Sequence, residues 1–318
     1  MRYESTAFRL TRVDTSSNKP RDLLEKLNEH PAWKQAYVLH DLCSSKIEDM
    51  RLINTFLSGL LIFAFGLPSS AIDEDALRER IAEHLQRVMG EARIQEPSPD
   101  VTTRLPEVPR LYRRLVDAVV YIVTEEGITG SGTIISRSFG LIITNWQAVG
   151  SEYVVGVVFK PPTLQGKISF KKDDIYIARV LKTDSIRDLA LLEVISPPTS
   201  MIAVPLGSTF RLEVGQIVFS VSHLKSLLWN YTVGDITQIR PKYEWASEVG
   251  TFHRATVIQI QTLAGQGSSG DPLFDENGHF IGVFAGTSSV GLNFAITVDE
   301  VRDFVLNALR PTLAFPMT

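Results

Sequence analysis

The sequence predicts an α+β protein in which a helical N-terminal domain precedes an all-β domain that ends in one helix. The length of 318 residues corresponds to about two domains at roughly 150 residues each. Helical periodicity dominates residues 20–95, whereas short β-rich runs separated by turn residues follow from about residue 112. Apolar residues make up 44% of the chain, which is enough for a core in each domain.

The near-neutral net charge and the lack of suitably spaced cysteine and histidine residues exclude several classes of function. Lys and Arg number 32 against 36 Asp and Glu, a net charge of −4, so no basic surface is expected to hold nucleic acid. The single cysteine, Cys43, excludes an internal disulfide and a cysteine-rich zinc site, and the six histidines lack paired-ligand spacing. We therefore expect no nucleic acid partner, no metal and no cofactor.

Residues 1–95 are predicted to form a helical interaction domain. Candidate helices cover residues 20–30, 31–43, 52–67 and 73–93. The last of them begins with three acidic residues, which suit the positive end of a helix dipole. Its apolar face is formed at helical spacing by Leu77, Ile81, Leu85, Val88 and Met89.

The uncharged run at residues 52–72 leaves two interpretations open. A membrane span is one, but the helical part before Pro68 rises only about 24 Å, whereas a bilayer core needs about 30 Å. Flanking Lys and Arg residues also balance, so they give no orientation. We favour a buried helix and a cytoplasmic location, since the N-terminus lacks the apolar core of a secretory signal; the alternative is a single-pass membrane protein.

A proline-rich stretch at residues 96–111 is predicted to be a linker, and residues 112–318 form the β domain. Four prolines within fourteen residues prevent a continuous helix there. The ten β-rich runs that follow indicate antiparallel barrels or a sandwich. Residues 298–309 have helical spacing of apolar side chains and are predicted to form the closing helix.

The one motif that suggests chemistry is Gly267-Ser268-Ser269-Gly270-Asp271-Pro272-Leu273. A serine between glycines on a tight loop can bring its hydroxyl and backbone N–H close to a substrate carbonyl. An ordinary hairpin loop has the same composition, so the heptapeptide alone does not decide between them.

The order of further segments gives the motif a context. The chain resembles trypsin-fold proteases, and the HtrA/Deg family in particular, over about residues 115–310. The segments that carry the resemblance are Gly130-Ser131-Gly132, GLIITNWQAV, RDLALLEV, VGQIVFSVS, TVGDIT, the serine loop, NGHFIGV and GLNFAIT. The resemblance implies a trypsin-like double β-barrel, with two six-stranded barrels and the active site between them.

The resemblance also implies roles for individual residues. Asp188 falls on the triad aspartate and Ser269 on the nucleophile. The backbone N–H groups of Gly267 and Ser269 fall on the oxyanion hole. Gln147 falls on the position of the triad histidine, within Thr144-Asn145-Trp146-Gln147-Ala148-Val149.

Glutamine in place of the triad histidine predicts a protein that does not cleave peptides. An imidazole with a pKa of about 6.5 can take the serine proton near neutral pH and return it to the leaving amine, whereas an amide cannot. Gln147 can still accept a hydrogen bond from Ser269 and donate one to Asp188. His223 and His253 are expected to be surface or partly buried structural residues, away from the triad.

Asp271 is a second departure from the family, which has glycine two residues after the serine. Its carboxylate is expected to oppose negative charge in the oxyanion hole, and its side chain to obstruct the loop. Both departures favour a pseudoprotease.

A peptide groove remains compatible with these changes, because an added substrate strand needs only main-chain hydrogen bonds. Residues 291–296 resemble the family stretch that lines the specificity pocket, and they contain no acidic residue, so a small or aliphatic side chain is expected there. Its candidate lining residues are Leu292, Asn293, Phe294 and Ala295; the alternative is that they are core strand residues.

The sequence therefore predicts a regulatory or peptide-binding pseudoprotease whose groove and helical domain bind protein partners. The alternative is an active HtrA-like serine endopeptidase, in which Gln147 was introduced or another group compensates for it.

Overall fold

The computed structural model describes the β domain and the helix that precedes it. The chain divides into two compact units, residues 1–70 and Ala71–Thr318. The described residues all belong to the second unit: 73–88, 93–94, 108–161, 166–167, 170–224, 227–247, 250–262, 268–287 and 292–309. The predicted helices before residue 68 and the apolar run at 52–72 lie outside them, so the helical domain remains a prediction.

The described residues form three α-helices and fourteen strands. The helices are α1 (Glu74–Val88), α2 (Val108–Leu115) and α3 (Val298–Leu309). The strands are β1 (Arg93–Ile94), β2 (Val119–Val123), β3 (Thr129–Ser136), β4 (Leu141–Thr144), β5 (Val154–Val158), β6 (Gly166–Lys167), β7 (Ile175–Asp184), β8 (Leu189–Val194), β9 (Ile217–Leu224), β10 (Leu227–Ala246), β11 (Phe252–Gln261), β12 (Pro272–Phe274), β13 (Phe280–Thr287) and β14 (Asn293–Thr297).

The first six-stranded barrel closes in the order β2-β3-β4-β8-β7-β5. Its strands are short and rich in Val, Ile and Leu, the residue types that pack best on a pleated surface. Every residue of β2 and β4 is buried. The barrel interior is filled by a cluster that includes Val120, Ile122, Ile134, Ile142, Val155, Val157 and Leu192.

The second barrel is a ring of six antiparallel strands. The pairings run β9-β10-β11-β14-β13-β12, and β12 pairs back with β9. The short strands β1 and β6 extend the sheet beyond β10. Its core includes Val218, Ile236, Ile258, Ile260, Leu273, Ile281 and Ala295. The two rings are the pair of six-stranded barrels that the sequence resemblance implied.

Helix α1 packs against the first barrel. Leu77, Ile81 and Leu85 of its apolar face are at most 2% exposed. The Ile81 Cδ1 atom lies 2.8 Å from the position a Cβ at residue 156 would take, so Gly156 makes room for the helix. Arg80 Nε lies 2.9 Å from Glu125 Oε1 at the rim of the contact. The domain boundary predicted at residue 95 placed α1 in the helical N-terminal domain. In the structure, its contacts are with the first barrel of the β domain.

The other two helices flank the barrels. Helix α2 begins within the predicted linker at residues 96–111, and Pro109 lies in its first turn, where a missing N–H costs nothing. Helix α3 covers the residues predicted for the closing helix. Within the described part of the chain, no helix is long and apolar enough to cross a membrane.

Candidate active site

Two segments of the first barrel meet beside Asp188. Strands β4 and β8 pair with Thr144 opposite Ala190. This register places the turn after β4, which carries Asn145 and Gln147, next to Asp188, the residue before β8. The local pairing of two short apolar strands therefore brings together residues that are about forty positions apart in the sequence.

Asp188 is held in an unusual backbone conformation. Its φ is 57°, in the left-handed region that few non-glycine residues adopt. Asn145 Nδ2 donates to the Asp188 backbone oxygen at 2.8 Å and stabilises this conformation. The Asp188 side chain is fully buried. Strained residues of this kind cluster at functional sites.

Gln147 donates two hydrogen bonds to the Asp188 carboxylate. The Gln147 backbone N–H lies 3.0 Å from Oδ1, and the side-chain Nε2 lies 2.8 Å from Oδ2. Since a carboxylate only accepts, the amide presents its nitrogen to Asp188 and keeps Oε1 for another donor. Among the described residues, no hydrogen bond joins Gln147 to Ser269.

Burial is the main influence on the ionisation of Asp188. Loss of water raises the pKa of its carboxyl from 3.8 to about 6. The hydrogen bonds from Gln147, the charge of His253 and a bond from the Trp146 backbone act in the opposite direction. At neutral pH, above this pKa, the carboxyl group is mostly ionised.

The turn that carries Ser269 is hydrogen-bonded to both barrels. Ser131 N on β3 donates to Ser269 O at 2.9 Å, and Gly270 N donates to Phe284 O on β13 at 3.2 Å. Gly270 has φ 85°, and a Cβ there would collide with the Ser131 carbonyl oxygen. Only glycine fits this position, because both the backbone angle and the space exclude a side chain.

One of the two predicted oxyanion donors can be examined. Gly267 lies outside the described residues, so its role remains a prediction. Ser269 is half-buried, and its N–H donates to no group in the described part of the chain.

Asp271 does not behave as the sequence suggested. Its side chain points into the protein, where its Oδ1 meets the Ser131 hydroxyl and lies 3.4 Å from the His223 backbone N–H. The residue is fully buried, and burial raises the pKa of its carboxyl well above 3.8. The expectation of a carboxylate that obstructs the loop and opposes an oxyanion was wrong, because a buried carboxyl hydrogen-bonded to its own interior partners does not face the cleft.

His223 and His253 are buried rather than superficial. His223 is 1% exposed, and burial lowers the pKa of its imidazole to about 3. His253 is 2% exposed, and its Nδ1 lies 2.7 Å from the Ser185 carbonyl oxygen, which requires Nδ1 to carry the hydrogen. His253 Nε2 is buried without a hydrogen-bond partner among the described residues. The His253 ring lies 6.1 Å from that of Trp146, the neighbour of Gln147, so it is closer to the site than expected.

The predicted specificity residues lie on β14 and just before it. Asn293 uses both ends of its amide, accepting from Thr287 Oγ1 at 2.7 Å and donating to Thr262 O at 2.6 Å. Phe294 is buried against Tyr243 and Trp245, with ring centroids 5.3 Å apart in each pair. Ala295 belongs to the core of the second barrel, whereas Leu292 is half-buried. Their role in a specificity pocket remains a prediction.

Strand β13 is paired along only part of one side within the described residues. Its residues up to Val283 pair with β12 on one side, and residues up to Thr287 pair with β14 on the other. Past Phe284, the side of β13 away from β14 therefore has no strand partner among the described residues. Such an edge can accept an extended peptide as an added strand.

The structure also reveals roles that the sequence did not assign. Ser131 was part of the pattern that indicated the fold, but nothing in that pattern predicted its contacts with Ser269 and Asp271. The flanking Gly130 is the sequence feature that could have indicated this close approach, since a Cβ there would lie 2.7 Å from Ala148 Cβ and 3.0 Å from Ser269 O. No group of three His, Cys, Asp or Glu residues in the described ranges is placed to hold a metal ion.

Several known proteases are similar to this chain. Residues 130–283 match the family model of the trypsin-like peptidase domain. Similar curated proteins include serine protease HTRA1B of Danio rerio, 28% identical over 56% of this chain and 34% of that protein. Protease Do-like 1 of Arabidopsis thaliana is 28% identical over 63% of this chain and 47% of its own length.

Solved structures give the same fold. The active form of the Rv3671c protease from M. tuberculosis covers 70% of this chain and 92% of its own, with a TM-score of 0.53 and 21% identity. Deg5 covers 65% of this chain and 94% of its own, with a TM-score of 0.50 and 23% identity. Part of the chain is therefore similar to the trypsin-like peptidase domain and to proteins of the HtrA/Deg family, and the chain spans about a third to a half of the curated relatives' length.

Proposed function

We propose that this protein is a pseudoprotease that binds extended peptides in a trypsin-like cleft without cleaving them. The observation that carries the proposal is the pair of hydrogen bonds from Gln147 to Asp188. In this proposal Gln147 occupies the position of the general base, opposite the nucleophile position at Ser269.

The chemistry of an amide supports this assignment. Acceptance of the serine proton and its delivery to the leaving amine need a group that titrates near neutral pH, and glutamine has no such group. In a subtilisin-type triad, loss of the histidine costs on the order of 10⁶ in kcat, or about 8 kcal/mol of transition-state stabilisation. Gln147 instead satisfies the buried Asp188, which preserves the shape of the cleft.

Peptide binding does not depend on the missing base. An extended chain that pairs with the open edge of β13 gains main-chain hydrogen bonds whatever its sequence. The Ser269 N–H, which has no acceptor in the described part of the chain, adds a donor for a bound carbonyl oxygen. Residues 1–95 recruit a protein partner in this proposal, since a helical domain that precedes the cleft is suited to recruitment.

The test compares binding and cleavage of the same peptides. Fluorescent peptides from unfolded casein are titrated against the unaltered chain and against Gln147→His and Ser269→Ala, and products are followed by mass spectrometry. We expect all three proteins to bind, and only Gln147→His to release fragments. Fragments from the unaltered chain that disappear in Ser269→Ala would contradict the proposal, as would a failure of the unaltered chain to bind.

The second candidate function is an active serine endopeptidase, and His253 favours it. Its buried imidazole influences the charge of Asp188, and its Nε2 lacks a partner among the described residues. If His253 replaced the missing base, casein cleavage by the unaltered chain would be lost in His253→Ala. The matched variant His279→Ala would keep it, because His279 bonds to Asp275 on the β12–β13 turn at 3.0 Å, outside the site.

A further inference from the structure

Ser131 lies at the centre of a buried polar cluster between the two barrels. Its hydroxyl is 2.7 Å from His223 Nδ1 and also meets Asp271 Oδ1. Ser131 belongs to β3 of the first barrel, His223 to β9 of the second, and Asp271 directly follows the Ser269 turn. A single hydroxyl therefore joins both barrels and the turn.

All three side chains are shielded from water. Ser131, His223 and Asp271 are each at most 2% exposed. The His223 ring lies between Tyr121 and Trp229, with centroid distances of 5.1 Å and 4.8 Å. A buried polar group without its partner costs more than the bond itself is worth, so removal of one member affects the others.

The cluster can carry a charge only on Asp271. Burial keeps His223 neutral, since the pKa of its imidazole falls to about 3. Tyr121, the ionisable residue that faces His223 from β2, is also neutral because burial raises its pKa to about 12. If Asp271 is ionised, His223 Nδ1–H donates to Ser131, which donates to the carboxylate. If Asp271 is protonated, its O–H donates to Ser131, and the Ser131 hydroxyl donates to His223 Nδ1. The Ser131 hydroxyl therefore makes both hydrogen bonds in either protonation state.

The backbone of Ser131 extends the cluster to Ser269. Ser131 N donates to Ser269 O at 2.9 Å, while Ser131 O accepts from Thr144 Oγ1 at 2.6 Å. The same peptide segment is thus fixed by its side chain to the residue that follows the turn and by its main chain to the turn itself.

We propose that Ser131 is a positioning residue that holds the Ser269 turn in place through its bridge between Asp271 and His223. The inference rests on the proposed cleft, in which Ser269 faces the bound peptide. Asp271 is then part of the support of that turn, since its carboxyl also forms a hydrogen bond with the Ser268 side chain beside Ser269.

Amide hydrogen exchange of the folded, unaltered chain measures this positioning directly. The Gly270 amide, which bonds to Phe284 O, reports on the turn, and the Val257 amide in β11 reports on the barrel. In Ser131→Ala we expect the Gly270 exchange rate, relative to that of Val257, to rise at least about tenfold, since a buried hydrogen bond of ordinary strength is lost. A merely structural loss of stability would raise both rates together.

Ser136→Ala is the matched control. Ser136 lies on the same strand, is 2% exposed, and its hydroxyl has no partner among the described residues. We expect this variant to leave the ratio of the two exchange rates unchanged. An equal rise in Ser136→Ala, or no rise in Ser131→Ala, would overturn the proposal.

Variants of Asp271 decide the matter even if Ser131→Ala does not fold. Asp271→Asn keeps an acceptor for Ser131 and should retain the exchange ratio, whereas Asp271→Ala should raise it. Equal ratios in these two variants would contradict the proposal. Failure of the proposed function would appear separately, as peptide cleavage by the unaltered chain, and would leave the exchange ratios readable.

Discussion

The amide of Gln147 lies 2.8 Å from one carboxylate oxygen of Asp188, while its backbone N–H lies 3.0 Å from the other. This two-point contact satisfies a carboxylate that is buried in the first barrel. It gives glutamine a structural reason to be at position 147, because a side chain without a donor would leave the buried carboxylate with one hydrogen bond fewer.

Replacement of Gln147 by leucine should destabilise the fold at neutral pH. The Asp188 Oδ2 atom would lose its donor, at a cost of about 1–3 kcal/mol. Equilibrium urea unfolding at pH 7 measures this, with Gln238→Ala, an exposed position on β10, as the control. A loss no larger than that of the control would contradict the structural role of the amide.

The stability of the β domain should fall as the pH rises from about 4 to about 6. Asp188 has a pKa raised from 3.8 to about 6, so the folded state holds its proton more tightly than the unfolded state does. Stability from this group is fully present below the unfolded pKa and is lost as the pH rises through the folded one. Two pH units at about 1.4 kcal/mol per unit correspond to about 3 kcal/mol.

Two variants separate the contributions to this pH profile. Asp188→Asn should flatten the curve of unfolding free energy between about pH 4 and pH 6. Asp271→Asn should flatten a decline of the same sign, since burial raises the pKa of Asp271 as well. A profile that keeps its full slope in the Asp188→Asn protein would show that this carboxyl is not perturbed.

The glycine after Ser269 should tolerate no side chain. Gly270→Ala forces a Cβ against the Ser131 carbonyl oxygen and towards Thr144 Oγ1, 2.6 Å away. The matched control is Gly215→Ala, which has a similar φ of 88° but nothing within 4 Å. The control should cost about 1–2 kcal/mol from its backbone angle alone, and Gly270→Ala clearly more. Equal costs in thermal unfolding would mean that the turn is not tightly packed.

Helix α1 should contribute to the stability of the barrel unit. Ile81→Ala removes a side chain that is 1% exposed and packs over Gly156, which typically costs about 2–5 kcal/mol. Glu83→Ala, at an exposed position of the same helix, should have little effect. If circular dichroism shows the same unfolding midpoint for both proteins, the helix does not stabilise the barrels.

Much of the fold could be predicted because it follows from local patterns and the order of motifs. Closely spaced β-rich runs predicted barrels or a sandwich, and the helical spacing of Val301, Phe304 and Val305 predicted α3. The attachment of α1 to the first barrel was not predicted, since an amphipathic helix shows which face is buried but not what covers it.

The site was predictable only where the family pattern assigns a residue. The family pattern assigns Asp188, Gln147 and Ser269, and the chemistry of an amide predicts the contact between the first two that the structure contains. The inward orientation of Asp271 was not predictable, because its partners Ser131 and His223 come from distant strands. Sequence spacing alone gives no distance between such residues.

The reactivity of Ser269 towards a fluorophosphonate tests the central claim most directly. Rate constants for labelling are compared between the unaltered chain and Gln147→His, with Ser269→Ala as the blank. The proposal predicts labelling of the unaltered chain at the blank rate, and a gain of at least about a thousandfold when the imidazole is supplied. Rapid labelling of the unaltered chain that vanishes in Ser269→Ala would show an activated serine and contradict the account.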